Sequence, residues 1–164
     1  NAYMFNQDVR QWMHDQGIDD VPLMNNIYGR DFTVNSFIYS ISNDQFFDPT
    51  NRASHDLERR QIVSLLPAIL LIEYNPLAIL RAIRFSLSYG FHIDPELRSA
   101  MKGRVDLLKR TLSEDRILKE LVAILKVKGP EGLQMLRDYE LDRLLLHPEV
   151  KQYLQLEATD ELAK

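Results

Sequence analysis

From Leu77 to the neighbourhood of Pro148 the apolar residues keep the spacing of an α-helix, and glycine and proline cut that run into short rods. Leu77, Leu80, Ile83 and Leu87 form one stripe that stops at Gly90. A residue every third or fourth position puts all four on one helical face, and such a face must be buried against a neighbour. Asp94-Pro95 opens the next helix, with Asp94 as cap and Pro95 in the first turn, where its missing N–H costs nothing. Ser113 is the expected cap of a third helix, whose buried face is Ile117, Leu121 and Ile124. Gly129-Pro130 breaks it, and Leu133, Leu136, Tyr139 and Leu144 carry the pattern on to Pro148. The spacing predicts helices throughout 76–150, with no strand between 76 and 125.

The front of the chain reads differently. Phe5, Val9, Trp12 and Met13 predict a helix that Gly17 ends. Residues 18–29, with Pro22, two asparagines and Gly29, read as loop or short strand. Phe32, Asn35, Ser36 and Tyr39 share one side of an expected helix over about 31–42. Gln45 to Asp48 reads as a short strand, Asp48-Pro49-Thr50-Asn51 as a turn, and Ile62 to Leu66 as a buried strand. The fold class is therefore α+β, mainly α. The mixed part is expected over 1–72 and the helical part over 73–164.

Composition excludes several chemistries. The 164 residues contain no cysteine, so neither disulfides nor thiolate metal sites are available. The longest apolar run, Ile62 to Ile72, is too short for a membrane span and contains Pro67. The chain opens on Asn1, with nothing after it like a signal peptide, and is expected to be cut from a longer protein. A net charge of -4 disfavours indiscriminate nucleic-acid binding by the whole surface. The cations nevertheless cluster, at Arg59 and Arg60, at Arg81 and Arg84, and at Lys102, Arg104, Lys109 and Arg110.

Two kinds of site residue stand out. Arg30, Asp31 and Asn35 place a cation, an anion and an amide at one spot, with Asp31 and Asn35 four apart. Arg30 can pair with a phosphate and Asp31 can accept from a ribose hydroxyl; alternatively, Asp31 only caps a helix. Arg81 and Arg84, three apart, can reach one anion, whether a ligand phosphate or a neighbouring carboxylate. Arg116 and Glu120 have the spacing of a pair within one helix. Carboxylates at metal-binding spacing are missing. No Asp-x-Asp occurs, Asp138-Tyr139-Glu140 has that spacing only with a glutamate and in a late helical stretch without a Gly-Ser step ahead of it, and His14, His55, His92 and His147 are scattered.

In this order the pieces resemble a known family, the template-independent RNA nucleotidyltransferases that comprise tRNA CCA-adding enzymes and bacterial poly(A) polymerases. Gly29-Arg30-Asp31-Phe32-Thr33-Val34-Asn35-Ser36 resembles its Arg-Arg-Asp-Phe-Thr-(Ile/Val)-Asn-Ala motif. Asp48-Pro49-Thr50 with Asp56-Leu57 resembles its flexible-loop motif. The run from Asn75-Pro76-Leu77 to Arg81-Ala82-Ile83-Arg84-Phe85 resembles Glu-Asp-Pro-Leu-Arg-Ile-Leu-Arg-Ala-Ile-Arg-Phe, and Gly90-Phe91 with Ile93-Asp94 continues it. Leu112-Ser113-Glu114-Asp115-Arg116-Ile117 with Glu120 resembles a fourth motif, Ile-Ser-x-Glu-Arg-Ile-x-x-Glu.

The resemblance implies that residues 1–72 end a nucleotidyltransferase head domain, and that 73–164 form a helical neck and the start of a body that binds nucleotide and RNA. It implies ATP and CTP as substrates, RNA with a tRNA 3′ end as partner, and Mg²⁺ held by head-domain carboxylates outside this chain. It also implies a cytoplasmic location, or an organellar one in a eukaryote. Arg30, Asp31, Asn35, Asn75, Arg81, Arg84 and Arg116 would be the nucleotide-binding residues. The segment alone is expected to be inactive, because the Asp-x-Asp motif is absent. There are departures: Gly29 replaces an arginine, Asn51, Arg52 and Ala53 replace loop glycines, and Tyr74, Asn75 and Ala78 replace the Glu, Asp and Arg that pair with the incoming base. Asn75 keeps hydrogen-bonding groups and Ala78 offers none. Weak discrimination between CTP and ATP, or a preference set by stacking and shape, is therefore expected of an active parent, sharpened by Asn75→Asp with Ala78→Arg. The second reading of these departures is a non-catalytic RNA-binding or scaffold relative.

Overall fold

The computed structural model describes residues 5–19, 21–148 and 150–152. The first helix, α1 (Gln7–Asp15), forms where the Phe5, Val9 and Met13 stripe predicts it. Asn6 Oδ1 caps it by accepting from Val9 N at 2.9 Å, and Gly17 leaves it in the left-handed region at φ 69°. Residues 22–28 then depart from expectation: Pro22–Tyr28 is a helix, α2, rather than loop or strand. Pro22 sits in its first turn and Ile27 is fully buried, so one anchored apolar residue outweighs the two asparagines.

The helix expected over 31–42 is also absent. Thr33–Asn35 makes a single 3-10 turn, followed by a hairpin of β1 (Ile38–Ser40) and β2 (Gln45–Phe47). The reason is competition for backbone groups. Thr33 N donates to Val63 O at 2.9 Å and Leu65 N to Asp31 O at 3.1 Å, and Phe32 bridges to Ser64. A segment tied to a distant segment of the same chain at three successive residues cannot close an α-helical ladder there. The strand expected over 62–66 shortens to β3 (Gln61–Ile62) for the same reason, with Leu65 and Leu66 still buried. Helix α3 (Ala53–Glu58) lies between β2 and β3. It brings Asp56 Oδ2 to Thr33 Oγ1 at 2.7 Å, both residues buried.

Helices α4 (Ala68–Tyr74) and α5 (Ala78–Tyr89) come next, and α5 is the centre of the molecule. Its Ile79, Leu80, Ala82 and Ile83 have no exposed surface. It packs on α8 (Glu114–Val127) and α9 (Gly129–Asp138), and is linked to them by α6 (Pro95–Met101) and α7 (Val105–Thr111). Gly90 ends α5 at φ 66°, and Asp94 Oδ2 caps α6 by accepting from Glu96 N and Leu97 N. Ser113 occupies the cap position of α8, but its hydroxyl makes no capping bond. The helical run has one exception. His92–Ile93 forms a two-residue strand, β4, parallel to β3, so the expectation of no strand between 76 and 125 was wrong. Ile93 is buried there, and the pairing ties the front segment to the end of α5.

A candidate nucleotide-binding cleft

All seven residues singled out from the sequence line one cleft of roughly 660 Å³. Arg30, Asp31 and Asn35 come from the front segment, Asn75 from the junction of α4 and α5, Arg81 and Arg84 from α5, and Arg116 from α8. Gly29, Tyr74, Phe85 and Glu120 complete the wall. Four arginines face two carboxylates, leaving an excess of two positive charges in a chain whose net charge is -4. A concave site of one sign raises the local concentration of an oppositely charged ligand.

A polar chain fixes the floor. Asp31, with only 7% of its side chain exposed, accepts from Asn75 Nδ2 and from an Arg81 terminal nitrogen, each at 2.8 Å. Arg81 Nε also reaches Glu120 Oε1 at 3.3 Å, and Glu120 Oε2 accepts from Arg84 Nε at 2.8 Å. Burial works against the charge on Arg81, but the bonds and fields of Asp31 and Glu120 outweigh it and push its pKa up. Arg84 lies 4.6 Å from the Phe85 ring centroid. The cleft joins three separate stretches of chain, and α5 aligns two guanidinium groups one turn apart along its wall.

The residues divide by how much of each is free. Arg30 bonds the carbonyls of Asn35 and Phe37 and the Asn26 side chain, so three of its donors hold the loop in shape. Asp31 does not cap a helix, because the cap position of the 3-10 turn Thr33–Asn35 is Phe32 and no side chain caps it. Asn35 and Arg116 are exposed, and Arg116 has no ion pair among the described residues. Arg116 and Glu120 therefore do not form the expected pair along α8; Glu120 crosses to Arg81 and Arg84 instead. Spacing could not show this, because i,i+4 geometry says only which partners are possible. Glu120 and Phe85 are the lining residues missed as ligand-facing groups, although both stand inside quoted motifs. Ala78 is fully buried and absent from the lining, so position 78 does not offer its side chain to the cleft. Restoring arginine there is thus not the simple repair that the resemblance implied.

Among the described residues no three His, Asp or Glu side chains converge as a metal site, and both Asp31 oxygens are already engaged. No metal-dependent step is assigned to these residues. A second hollow, about 300 Å³ between α7, α8 and the 3-10 turn Asp142–Leu146, is lined largely by Ile117, Leu118, Leu121, Leu144 and Leu146. Among the described residues no helix is long and apolar enough to cross a membrane.

An arginine-rich cleft between a small α/β segment and a helical bundle has the net positive charge that an anionic ligand requires. Residues 5–63 match the family described as "Poly A polymerase head domain", and residues 90–154 match "Probable RNA and SrmB- binding site of polymerase A". The tRNA nucleotidyltransferase cca2 of Schizosaccharomyces pombe is 30% identical over 141 residues, covering 81% of this chain and 29% of that protein. The CC-adding tRNA nucleotidyltransferase of Synechocystis is 31% identical over 118 residues, covering 72% of this chain and 27% of that protein. The crystal structure of the Bacillus stearothermophilus CCA-adding enzyme in complex with CTP superposes with a TM-score of 0.68 at 26% identity, covering 79% of this chain and 33% of that one. The chain belongs to the family of poly(A) polymerases and CCA-adding tRNA nucleotidyltransferases. It spans less than a third of the length of these two curated relatives.

Proposed function

We propose that the intact protein adds CMP or AMP to RNA 3′ ends, with tRNA as the substrate class, and that this chain contributes nucleotide and RNA binding. The carrying observation is the convergence of residues from three distant stretches on one positive cleft, with Asp31 bonded to both Asn75 and Arg81. Arg84 and Arg116 hold the triphosphate, Asp31 and Asn35 face the ribose, and Asn75 faces the base. Arg81 aligns Asp31 and Glu120, while Arg30 shapes the loop and lends its remaining donors. Mg²⁺ is proposed to be held by carboxylates outside this chain. Residues 1–72 act as the end of the head and 73–164 as neck and body. The cytoplasm, or an organelle in a eukaryote, is the proposed compartment, on the resemblance alone.

The non-catalytic reading has one observation in its favour: Tyr74, Asn75 and the buried Ala78 offer a base one phenol and one amide in place of two carboxylates and a guanidinium. Calorimetry with ATP and CTP, paired with Mg²⁺-dependent incorporation into RNA by the intact protein, decides between them. Binding that falls about ten-fold or more in Arg84→Ala, together with incorporation, supports the enzyme; the threshold is the worth of one charge-assisted hydrogen bond. Binding without incorporation supports the scaffold, and no binding removes the cleft from both. Robust incorporation by the 164-residue chain alone would show that the metal-binding carboxylates lie within it after all.

A further inference from the structure

Beyond the cleft, an aromatic row continues along α5. Phe85 lines the cleft. One helical turn on, Tyr89 packs against it at 5.8 Å between centroids, and Phe91 packs against Tyr89 at 5.9 Å. Gly90 turns the chain back, and Ser86 fastens the return: Phe91 N donates to Ser86 O at 3.2 Å, and Ser86 Oγ donates to Phe91 O at 2.6 Å. The row is thus built by hydrogen bonds, yet Tyr89 is left 62% exposed at its centre. Cations stand at both ends. Arg84 covers the Phe85 ring, and its terminal nitrogens have no partner among the described residues. At the far end His92 N donates to Arg60 O at 2.8 Å, which sets the Arg60 main chain next to the Phe91–His92 link, and Arg60 is exposed and makes no ion pair among the described residues.

The geometry points to a track for single-stranded RNA, with a base stacked on Tyr89 and the backbone drawn by Arg84 at the cleft end and Arg60 at the other. Exposed rings interleaved with cations are what unpaired bases and phosphates require, because every base has a face to stack and every linkage carries a charge. Glu58 and Glu96 lie exposed on the flanking elements, so charge alone does not make this surface, and the ring at 89 carries the specificity for an unstacked base. The track runs into the cleft at Phe85, so the base on Tyr89 adjoins the incoming nucleotide. That last step rests on the cleft being the nucleotide site.

The test uses the intact protein and a 5′-fluorescein oligoribonucleotide of about ten nucleotides, long enough to fill such a surface. RNA affinity is read by anisotropy, ATP and CTP affinity separately by calorimetry, and folding by thermal melts of each variant. Tyr89→Ala should weaken RNA binding by roughly five- to a hundred-fold, the worth of one base–aromatic stack. Tyr89→Phe should bind RNA as the wild type does, and neither change should alter nucleotide affinity. Wild-type RNA affinity in Tyr89→Ala overturns the track, whatever the nucleotides do. So does a wild-type protein that ignores RNA but self-associates through Tyr89, because the face then belongs to a protein contact. Loss of RNA binding in Tyr89→Ala by a protein that takes up no ATP or CTP keeps the track and defeats the nucleotide reading of the cleft.

Discussion

The front segment and the helical body are held together by different forces. Between residues 30 and 66, besides the buried Phe32, Ile62, Leu65 and Leu66, many fastenings are polar: Thr33 to Asp56, Arg52 to the carbonyls of Ser64 and Leu65, Arg30 to those of Asn35 and Phe37, and the Asp48 turn. Its hairpin is poorly covered, with Phe46 74% and Ile41 88% exposed. In the body, α5 buries Ile79, Leu80, Ala82 and Ile83 completely, and Gly132 of α9 lies so near α8 that an added Cβ would meet an Ile124 methyl at 2.8 Å. A region fastened by polar bonds fails when one partner is removed. A region fastened by close packing fails when volume changes. The cleft sits where they meet, with Asp31 from the first and Arg81 from the second.

The largest expected effect is in the body. Leu80→Ala removes a fully buried side chain from α5 and should cost about 2–5 kcal/mol by urea denaturation, as core truncations to alanine do. A loss under about 1 kcal/mol would mean that the body is loosely packed and the contrast false. Next comes the front segment. Asp56→Ala removes the near acceptor of the buried Thr33 hydroxyl, leaving it only Val63 O at 3.4 Å, and should cost roughly 1–3 kcal/mol, with Asp56→Asn recovering part of it. If Asp56→Ala is neutral while Leu80→Ala is not, polar bonds do not hold the front.

The smallest effect is a pH dependence. Burial tends to raise the Asp48 pKa, but bonds from Ser54, Thr50 and the Ala53 backbone outweigh it and hold it below the ordinary carboxylate value. A carboxyl whose folded pKa is depressed stabilises the fold above its unfolded pKa, and that contribution fades as pH falls through the folded value. Thermal melts of wild type and Asp48→Asn should therefore differ most near neutrality and converge in acid. A gap that widens towards low pH would contradict the assignment.

Much of the body was legible in the sequence because helix formation there obeys local rules. The stops at Gly90 and Gly129-Pro130, the Asp94 cap and the stripe on α5 each depend on residues within a few positions of one another. The membership of the cleft was legible through motif resemblance, while its bonding was not. Glu120 had a local partner at the right spacing in Arg116, and the fold gave it Arg81 and Arg84 across the helix contact. Residues 31–42 had a helical pattern, and the fold spent their backbone groups on Val63 and Leu65, some thirty residues away. His92 and Ile93 became a strand only because β3 lies beside them. Local spacing fixes which hydrogen bonds and burials are available to a segment. Which are made depends on the competing partners that the tertiary structure brings within reach, because a backbone N–H or carboxylate bonded at long range is no longer free for the local choice.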